Sequence, residues 1–92
     1  MIQSFRDRET QAVFEGGYSR RLHNVAYVAE KKLMQLHAAR ELSDLAKFPG
    51  NRLELLKRDR AGQYSIRINE QYRICFVWRA GNAYEVEIVD YH

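Results

Sequence analysis

The sequence has one cysteine, one proline and no long apolar run, and each of these scarcities excludes a class of protein. A single cysteine, Cys75, can form neither an intramolecular disulfide nor a cysteine-based zinc cluster. No segment approaches the roughly 18 consecutive apolar residues of a transmembrane helix, and the first residues lack the apolar stretch of a signal peptide. We therefore expect a soluble protein of a reducing compartment, with the cytoplasm as its location.

The length and composition favour one folded domain. A chain of 92 residues is long enough for one compact domain and too short for two. Because 46% of the residues are hydrophobic and 29% are charged, the composition is not that of a disordered chain. We expect residues 1–92 to form a single domain with its own core.

Positive charge is concentrated in one segment. Between Arg52 and Arg79 the chain has seven basic residues and three acidic ones, whereas the rest of the chain is nearly neutral. Such a segment is typical of a groove that follows phosphates, although a soluble protein with an ordinary charged surface would also show it. The residues expected to contact the phosphates of a nucleic acid are Arg52, Arg58, Arg60 and Arg67.

Helical patterns occupy the first half of the chain. Asp7 is the expected N-cap of a first helix that runs to about Glu15, where two glycines end it. Apolar residues at spacings of three and four predict a second helix over Leu22–Leu36. A short third helix, about Arg40–Ala46, ends before Pro49.

The second half alternates with period two. After an apolar run, Leu53–Leu56, and a basic turn at 57–62, three strands with short connections follow. Their alternating apolar residues are Tyr64, Ile66 and Ile68, then Ile74, Phe76 and Trp78, then Tyr84, Val86 and Ile88. Helices followed by a meander predict an α+β fold in which N-terminal helices pack on a twisted, mainly antiparallel sheet.

The last three residues, Asp90, Tyr91 and His92, are all ionisable. Carboxylate, phenol and imidazole groups suit general acid–base chemistry near neutral pH. Strand alternation places Asp90 and His92 on one face and Tyr91 on the other. The alternative is a solvated, frayed chain end.

Charged residues inside apolar strand patterns are the other candidates for chemistry. Arg73 projects from a partly apolar strand face and needs an anion, either a structural carboxylate or a ligand phosphate. Lys57 lies on the basic turn and is expected to reach the same groove. Glu54 interrupts an apolar run, and it either faces water from an edge strand or acts as a base. Cys75 is expected to be a buried thiol rather than a nucleophile.

Several stretches together resemble a known family. They are Met1-Ile2-x-Ser4-Phe5, Asn51-Arg52-Leu53, the segment LKRDRAGQYSIRINEQYRICF at 56–76, and the ending EIVDYH. This combination resembles the HigB family of bacterial host-inhibition toxins, also called plasmid maintenance killer proteins, of the RelE/ParE superfamily. The resemblance covers the whole chain and implies the RelE-like toxin fold.

The resemblance also implies an activity and a set of partners. It implies a metal-free endoribonuclease without a cofactor that enters the ribosomal A site and cuts translated mRNA. It implies inhibition by a HigA-like helix-turn-helix antitoxin, and contact with operator DNA only through that antitoxin. The family's functional positions carry over onto Asp90, Tyr91, His92, Lys57 and Arg73, and Glu54 stands where better-studied relatives have a histidine. A ParE-like gyrase poison and a non-catalytic RNA- or ribosome-binding module are the alternatives.

Overall fold

The computed structural model of the chain describes residues 1–91, in which helices come first and an antiparallel sheet follows. The helices are α1 (Arg8–Phe14), α2 (Ala26–Ala38) and α3 (Leu42–Ala46), and the strands are β1 (Glu54–Leu55), β2 (Gln63–Arg67), β3 (Tyr72–Arg79) and β4 (Asn82–Asp90). Short 3-10 turns, Pro49–Asn51 and Arg58–Arg60, flank β1. This architecture confirms the predicted α+β class.

The first helix has the predicted ends. The Asp7 carboxylate accepts a hydrogen bond from the backbone N–H of Thr10 at 2.7 Å, which satisfies one of the unpaired donors of the first turn. Beyond the C-cap residue Glu15, Gly16 adopts a φ of +78°, a conformation that glycine takes without steric cost.

The second helix begins four residues later than predicted. Leu22 and Val25 are buried as expected, but they lie in turns that precede Ala26. The hydroxyl of Ser19 accepts the backbone N–H of Leu22 at 3.2 Å, so a side chain offers this segment an alternative to helical hydrogen bonding. The apolar spacing therefore predicted which residues are buried but not where the helix starts.

The strands form the predicted meander, in the order β1-β2-β3-β4 with every pair antiparallel. The N-terminal segment also adds to the sheet, because Ile2 and Phe5 form parallel bridges to Ala83 and Val86 of β4. Strand β4 is therefore paired on both sides, and among the four strands of residues 1–91 it is β1 that lies at a free edge.

A β-bulge in β4 changes which residues face the core. The register between β3 and β4 shifts between Cys75 and Val77, and Glu85 has a φ of +53° at this point. Because of the extra residue, Ala83 rather than Tyr84 is fully buried, while Val86 and Ile88 remain in the core. The expectation that Tyr84 shares a face with Val86 and Ile88 was therefore wrong.

The core lies between the helices and one face of the sheet. It consists of side chains from the helical half and from the inward positions of the strands, among them Val13, Leu22, Leu33, Leu36, Leu45, Ile66, Ile74, Phe76, Val86 and Ile88. The other face of the sheet, here called the open face, presents Ser65, Arg73, Cys75 and Glu87. Across residues 1–91, no helix is both long and apolar enough to cross a membrane.

Candidate functional site

Residues that are far apart in sequence meet in one cleft at the β1 edge of the sheet. The cleft has a volume of about 560 Å³ and is lined by Glu54, Leu55, Leu56, Lys57, Arg58 and Tyr91. Four of the six are residues that the sequence marked for chemistry or RNA contact. The meander brings the end of the chain back beside the basic turn, which explains the meeting.

The basic turn has a defined shape. Leu56 is buried and its backbone N–H donates to the carbonyl of Gln63 at 2.8 Å, so the chain is fixed just before the turn. Lys57 and Arg58 follow and are exposed, and Arg58 has a left-handed backbone with a φ of +58°. Non-glycine residues adopt this conformation at an energetic cost and do so most often at functional sites.

Arg73 joins the cleft through Tyr91. Its guanidinium carbon lies 5.6 Å from the centroid of the Tyr91 ring, within the range of a cation–π contact. Its Nε–H donates to the Ser65 hydroxyl at 2.7 Å, and its Nη2 donates to the Arg52 carbonyl, also at 2.7 Å. Within residues 1–91 no carboxylate lies within ion-pair distance of Arg73. Among the described residues, neutral oxygens therefore hold the Arg73 guanidinium, rather than the structural carboxylate that was one of its two expected partners.

The Arg52 carbonyl is held in place by its neighbour. Asn51 is completely buried, and its amide group donates to the Gln35 side chain at 3.1 Å and to the Leu45 carbonyl at 3.0 Å. The amide oxygen of Asn51 accepts from Lys32, whose pKa is lowered by burial and by the charge of Arg67. Arg52 then takes a left-handed φ of +44°, which turns the chain towards β1. The sequence analysis missed Asn51, because an isolated polar residue after Pro49-Gly50 looks like part of a turn.

Arg60, one of the expected RNA contacts, has another role in this structure. Its Nη1 donates to the Glu87 carboxylate at 2.7 Å and to the Gln63 side chain at 3.2 Å. The hydrogen bond with Glu87 raises the pKa of Arg60, and Arg6 approaches the same carboxylate at 3.8 Å. The ion pair anchors the end of the basic turn to β4. It also compensates the positive charge of Arg60, which was expected to contact RNA.

The remaining predicted site residues are spread around the cleft. Asp90 lies opposite Tyr72 at the end of β4, and its carboxylate accepts a hydrogen bond from the Gln71 amide at 3.0 Å. Tyr91 follows the last residue of β4, and its backbone N–H donates to the Gln71 carbonyl at 2.6 Å. His92 lies outside the described residues.

Two predicted site residues remain, and one of them lies in the cleft. Glu54 is exposed at the free edge and lies opposite Ser65 in the β1–β2 ladder. Arg67 lies opposite Arg73 in the β2–β3 ladder and does not line the cleft. Within residues 1–91 the structure therefore brings together Glu54, Lys57, Arg58, Tyr91 and Arg73.

Cys75 is the buried thiol that the sequence predicted. Its side chain has no exposed surface, and burial raises the pKa of the thiol. A raised pKa leaves little thiolate near neutral pH, and the thiolate is the nucleophilic form of cysteine. Cys75 is therefore a buried, unreactive thiol on the open face, between Ser65 and Glu87 in the ladder.

Comparison with known sequences gives a consistent result over nearly the whole chain. Residues 3–92 match the model of a family described as the RelE-like toxin of type II toxin-antitoxin system HigB. Toxin HigB-1 of Vibrio cholerae is 38% identical over 85 residues, which cover 90% of each chain. Endoribonuclease HigB of Proteus vulgaris is 31% identical over 94 aligned positions, which cover 100% of each chain.

Comparison with solved structures supports the fold. A chain in the crystal structure of the heterotetrameric YoeB-YefM toxin-antitoxin complex from Staphylococcus aureus superposes with a TM-score of 0.58. The superposition covers 100% of this chain and 98% of that one, at 17% sequence identity. At that identity the likeness concerns the fold, and it agrees with the RelE-like fold expected from the sequence.

Proposed function

The chain belongs to the family of HigB-like toxins of type II toxin-antitoxin systems, and on that premise we propose that it is an endoribonuclease that cleaves mRNA during translation. Cleavage of translated mRNA stops protein synthesis and inhibits growth. The observation that carries the proposal is the cleft at the β1 edge, where a carboxylate, two cationic side chains and an aromatic ring meet.

The chemistry follows from the RNA itself. The 2′-hydroxyl attacks the adjacent phosphorus, so that a bond from O2′ to phosphorus forms and the bond from phosphorus to O5′ breaks. A base removes the proton of the 2′-hydroxyl, and an acid gives a proton to the departing O5′. The products are a 2′,3′-cyclic phosphate and a 5′-hydroxyl, and addition of water opens the ring to a 3′-phosphate.

The cleft supplies most of these functions. Lys57 and Arg73 stabilise the extra negative charge on the phosphate in the transition state. Tyr91 is 41% exposed and offers its ring for stacking on a base. Glu54 lines the cleft as an exposed carboxylate and is a candidate for the general base.

The terminal residues complete the proposed site. His92 is the leading proton-transfer residue because imidazole is the side-chain group best suited to both accept and donate a proton near neutral pH. Asp90 precedes it by two residues and orients it or shares its role as base. One of three residues acts as the acid and another as the base: Glu54, Asp90 and His92. Carboxylate and imidazole groups can take either role.

The open shape of the site supports the proposal that cleavage depends on the ribosome. The cleft is open at the sheet edge and has few groups with which to align the 2′-hydroxyl with the phosphorus. Correct orientation of reacting groups can supply about 7–11 kcal/mol of a barrier. We propose that the ribosomal A site holds the mRNA in that geometry, so that translated mRNA is the substrate.

The proposed partner is an antitoxin. An endonuclease that acts on translated mRNA harms its own cell unless another protein restrains it. The chain superposed from Staphylococcus aureus was solved in a toxin-antitoxin complex, which supports such a partner. We propose a HigA-like helix-turn-helix protein that restrains the toxin and alone makes the contacts with operator DNA.

A primer-extension assay tests the proposed function. The purified chain is added to one mRNA in a translation reaction and to the same mRNA without ribosomes. We expect efficient cleavage of the translated mRNA and little cleavage of the free mRNA. Equal cleavage of both would contradict ribosome dependence. No cleavage of either would contradict endoribonuclease activity, and inhibition of purified gyrase would then support the ParE-like alternative.

A further inference from the structure

We propose that Ser65 is a positioning residue that holds the Arg73 guanidinium in the orientation required for cleavage. This inference rests on the proposed function, because it assigns a role to a residue that acts through Arg73. Ser65 does not line the cleft, and nothing in the sequence marks it as a site residue.

The burial of Ser65 is the first part of the argument. Its side chain is completely buried on the open face, between Glu54 of β1 and Cys75 of β3 in the ladder. A buried hydroxyl must find a hydrogen-bond partner, or its burial costs free energy. Here the partner is the Nε–H of Arg73, at 2.7 Å.

The geometry of Arg73 is the second part. Its guanidinium is planar, and two hydrogen bonds to fixed oxygens define the direction of that plane. One oxygen is the Ser65 hydroxyl, on a central strand, and the other is the Arg52 carbonyl, which follows the buried Asn51. Ser65 is paired with strands on both sides, and the Arg52 carbonyl follows a residue whose side chain makes three hydrogen bonds. The fold therefore holds both oxygens, and with them Arg73, without a substrate.

Both oxygens that accept hydrogen bonds from Arg73 are uncharged. A carboxylate in place of Ser65 would hold Arg73 equally well and would also neutralise its charge. A hydroxyl and a carbonyl fix the same side chain while leaving its net charge available for a phosphate. Arg60 shows the contrast, because a carboxylate, that of Glu87, holds its guanidinium and compensates its charge.

The first arm of the test measures cleavage kinetics. Ser65→Ala removes one hydrogen bond and little volume, and we expect it to lower kcat for translated mRNA about 10- to 100-fold with a small change in KM. Ser65→Thr keeps the hydroxyl and should retain most of the activity. An unchanged kcat in a folded Ser65→Ala variant would overturn the proposal.

Ser19 provides the matched control. It is also a buried serine, and its hydroxyl donates to the Glu9 carboxylate at 2.8 Å in the connection between α1 and α2. Ser19→Ala should lower the melting temperature without changing kcat. A loss of kcat equal to that of Ser65→Ala would show a general effect of stability and would contradict a role in positioning.

A double-mutant cycle and a spectroscopic arm complete the test. In the Arg73→Ala background, Ser65→Ala should have no further effect on kcat, whereas an additive loss would show that Ser65 acts independently of Arg73. NMR of the 15N-labelled chain should show a slowly exchanging Arg73 Nε–H signal that disappears in Ser65→Ala and persists in Ser65→Thr. The Arg73→Lys variant identifies this signal by its absence.

The two arms separate the possible failures. If the wild-type chain cleaves no mRNA, the proposed function is wrong, and the NMR signal still decides whether Ser65 holds Arg73. If the wild-type chain cleaves mRNA and the Arg73 signal is the same in Ser65→Ala, the positioning role is wrong although the function stands.

Discussion

Arg60 and Arg73 both reach the open face of the sheet, and their partners give them different roles. Arg60 bonds to the Glu87 carboxylate, so its charge is compensated within the fold. Arg73 bonds to the hydroxyl of Ser65 and the carbonyl of Arg52, both neutral. The charge of the first arginine is therefore compensated within the fold, whereas the partners of the second leave its positive charge uncompensated, as the proposed contact with a phosphate requires.

Cys75 gives a prediction about reactivity. Because burial raises its pKa and removes its side chain from solvent, the native thiol should react with the disulfide reagent DTNB at pH 8 far more slowly than a free thiol. Unfolding in guanidinium chloride should restore the ordinary rate, so the unfolded chain is the control. Equal rates in both states would show that Cys75 is accessible in the native protein.

The basic turn is the element that connects the fold to the cleft. Left-handed residues, Arg52 and Arg58, bracket β1, and the ion pair between Arg60 and Glu87 fixes the far end of the turn. Lys57 is therefore presented from a segment that is anchored on both sides. Rigid support of this kind lowers the cost of orienting a side chain against a substrate.

Glu87→Gln tests this anchor. The change removes the negative charge from a largely buried carboxylate, and we expect it to lower the free energy of unfolding by about 1–3 kcal/mol. Glu85→Gln is the matched control, since Glu85 is exposed on the same strand and should change stability by less than about 0.5 kcal/mol. Urea denaturation of both variants checks the prediction, and equal losses would contradict the anchoring role.

The sequence indicated the elements well where local signals determine them. The Asp7 cap and the glycines after Glu15 have a local physical cause, and the structure has them. In β2 and β3 the predicted core positions Ile66, Ile74 and Phe76 are buried, but burial does not alternate, because Ser65 and Cys75 are buried as well. The late start of α2 follows from the side chain of Ser19, which competes for the Leu22 backbone N–H, and the bulge at Glu85 depends on how β4 pairs with β3. Neither could be inferred from the spacing of apolar residues.

In the whole molecule, some residues of the site can be recognised from their chemistry, whereas others can be recognised only from the fold. Residue chemistry alone marked Glu54, Lys57, Arg73 and Tyr91, and the fold brings them to one cleft. The residues that support them, Ser65 and Asn51, are ordinary polar residues whose roles exist only in three dimensions. Likewise, the basic segment did not distinguish Arg60, which is paired with a carboxylate, from Arg73, which is not.

The net charge of the molecule requires a specific control for any test of the cleft. A formal charge of +3 attracts RNA at long range, so the loss of any lysine weakens binding somewhat. Lys47 provides the comparison, because it is exposed after α3, does not line the cleft and carries the same charge as Lys57.

The central claim is that the cleft at the β1 edge cleaves translated mRNA, and the cleavage rate of Lys57→Ala relative to Lys47→Ala tests it most directly. Both variants lose one positive charge, so long-range attraction changes equally. We predict that Lys57→Ala slows cleavage about 10- to 100-fold, the loss of one charge-assisted contact to the phosphate, while Lys47→Ala stays within about twofold of the wild type. Equal rates for the two folded variants would contradict the claim.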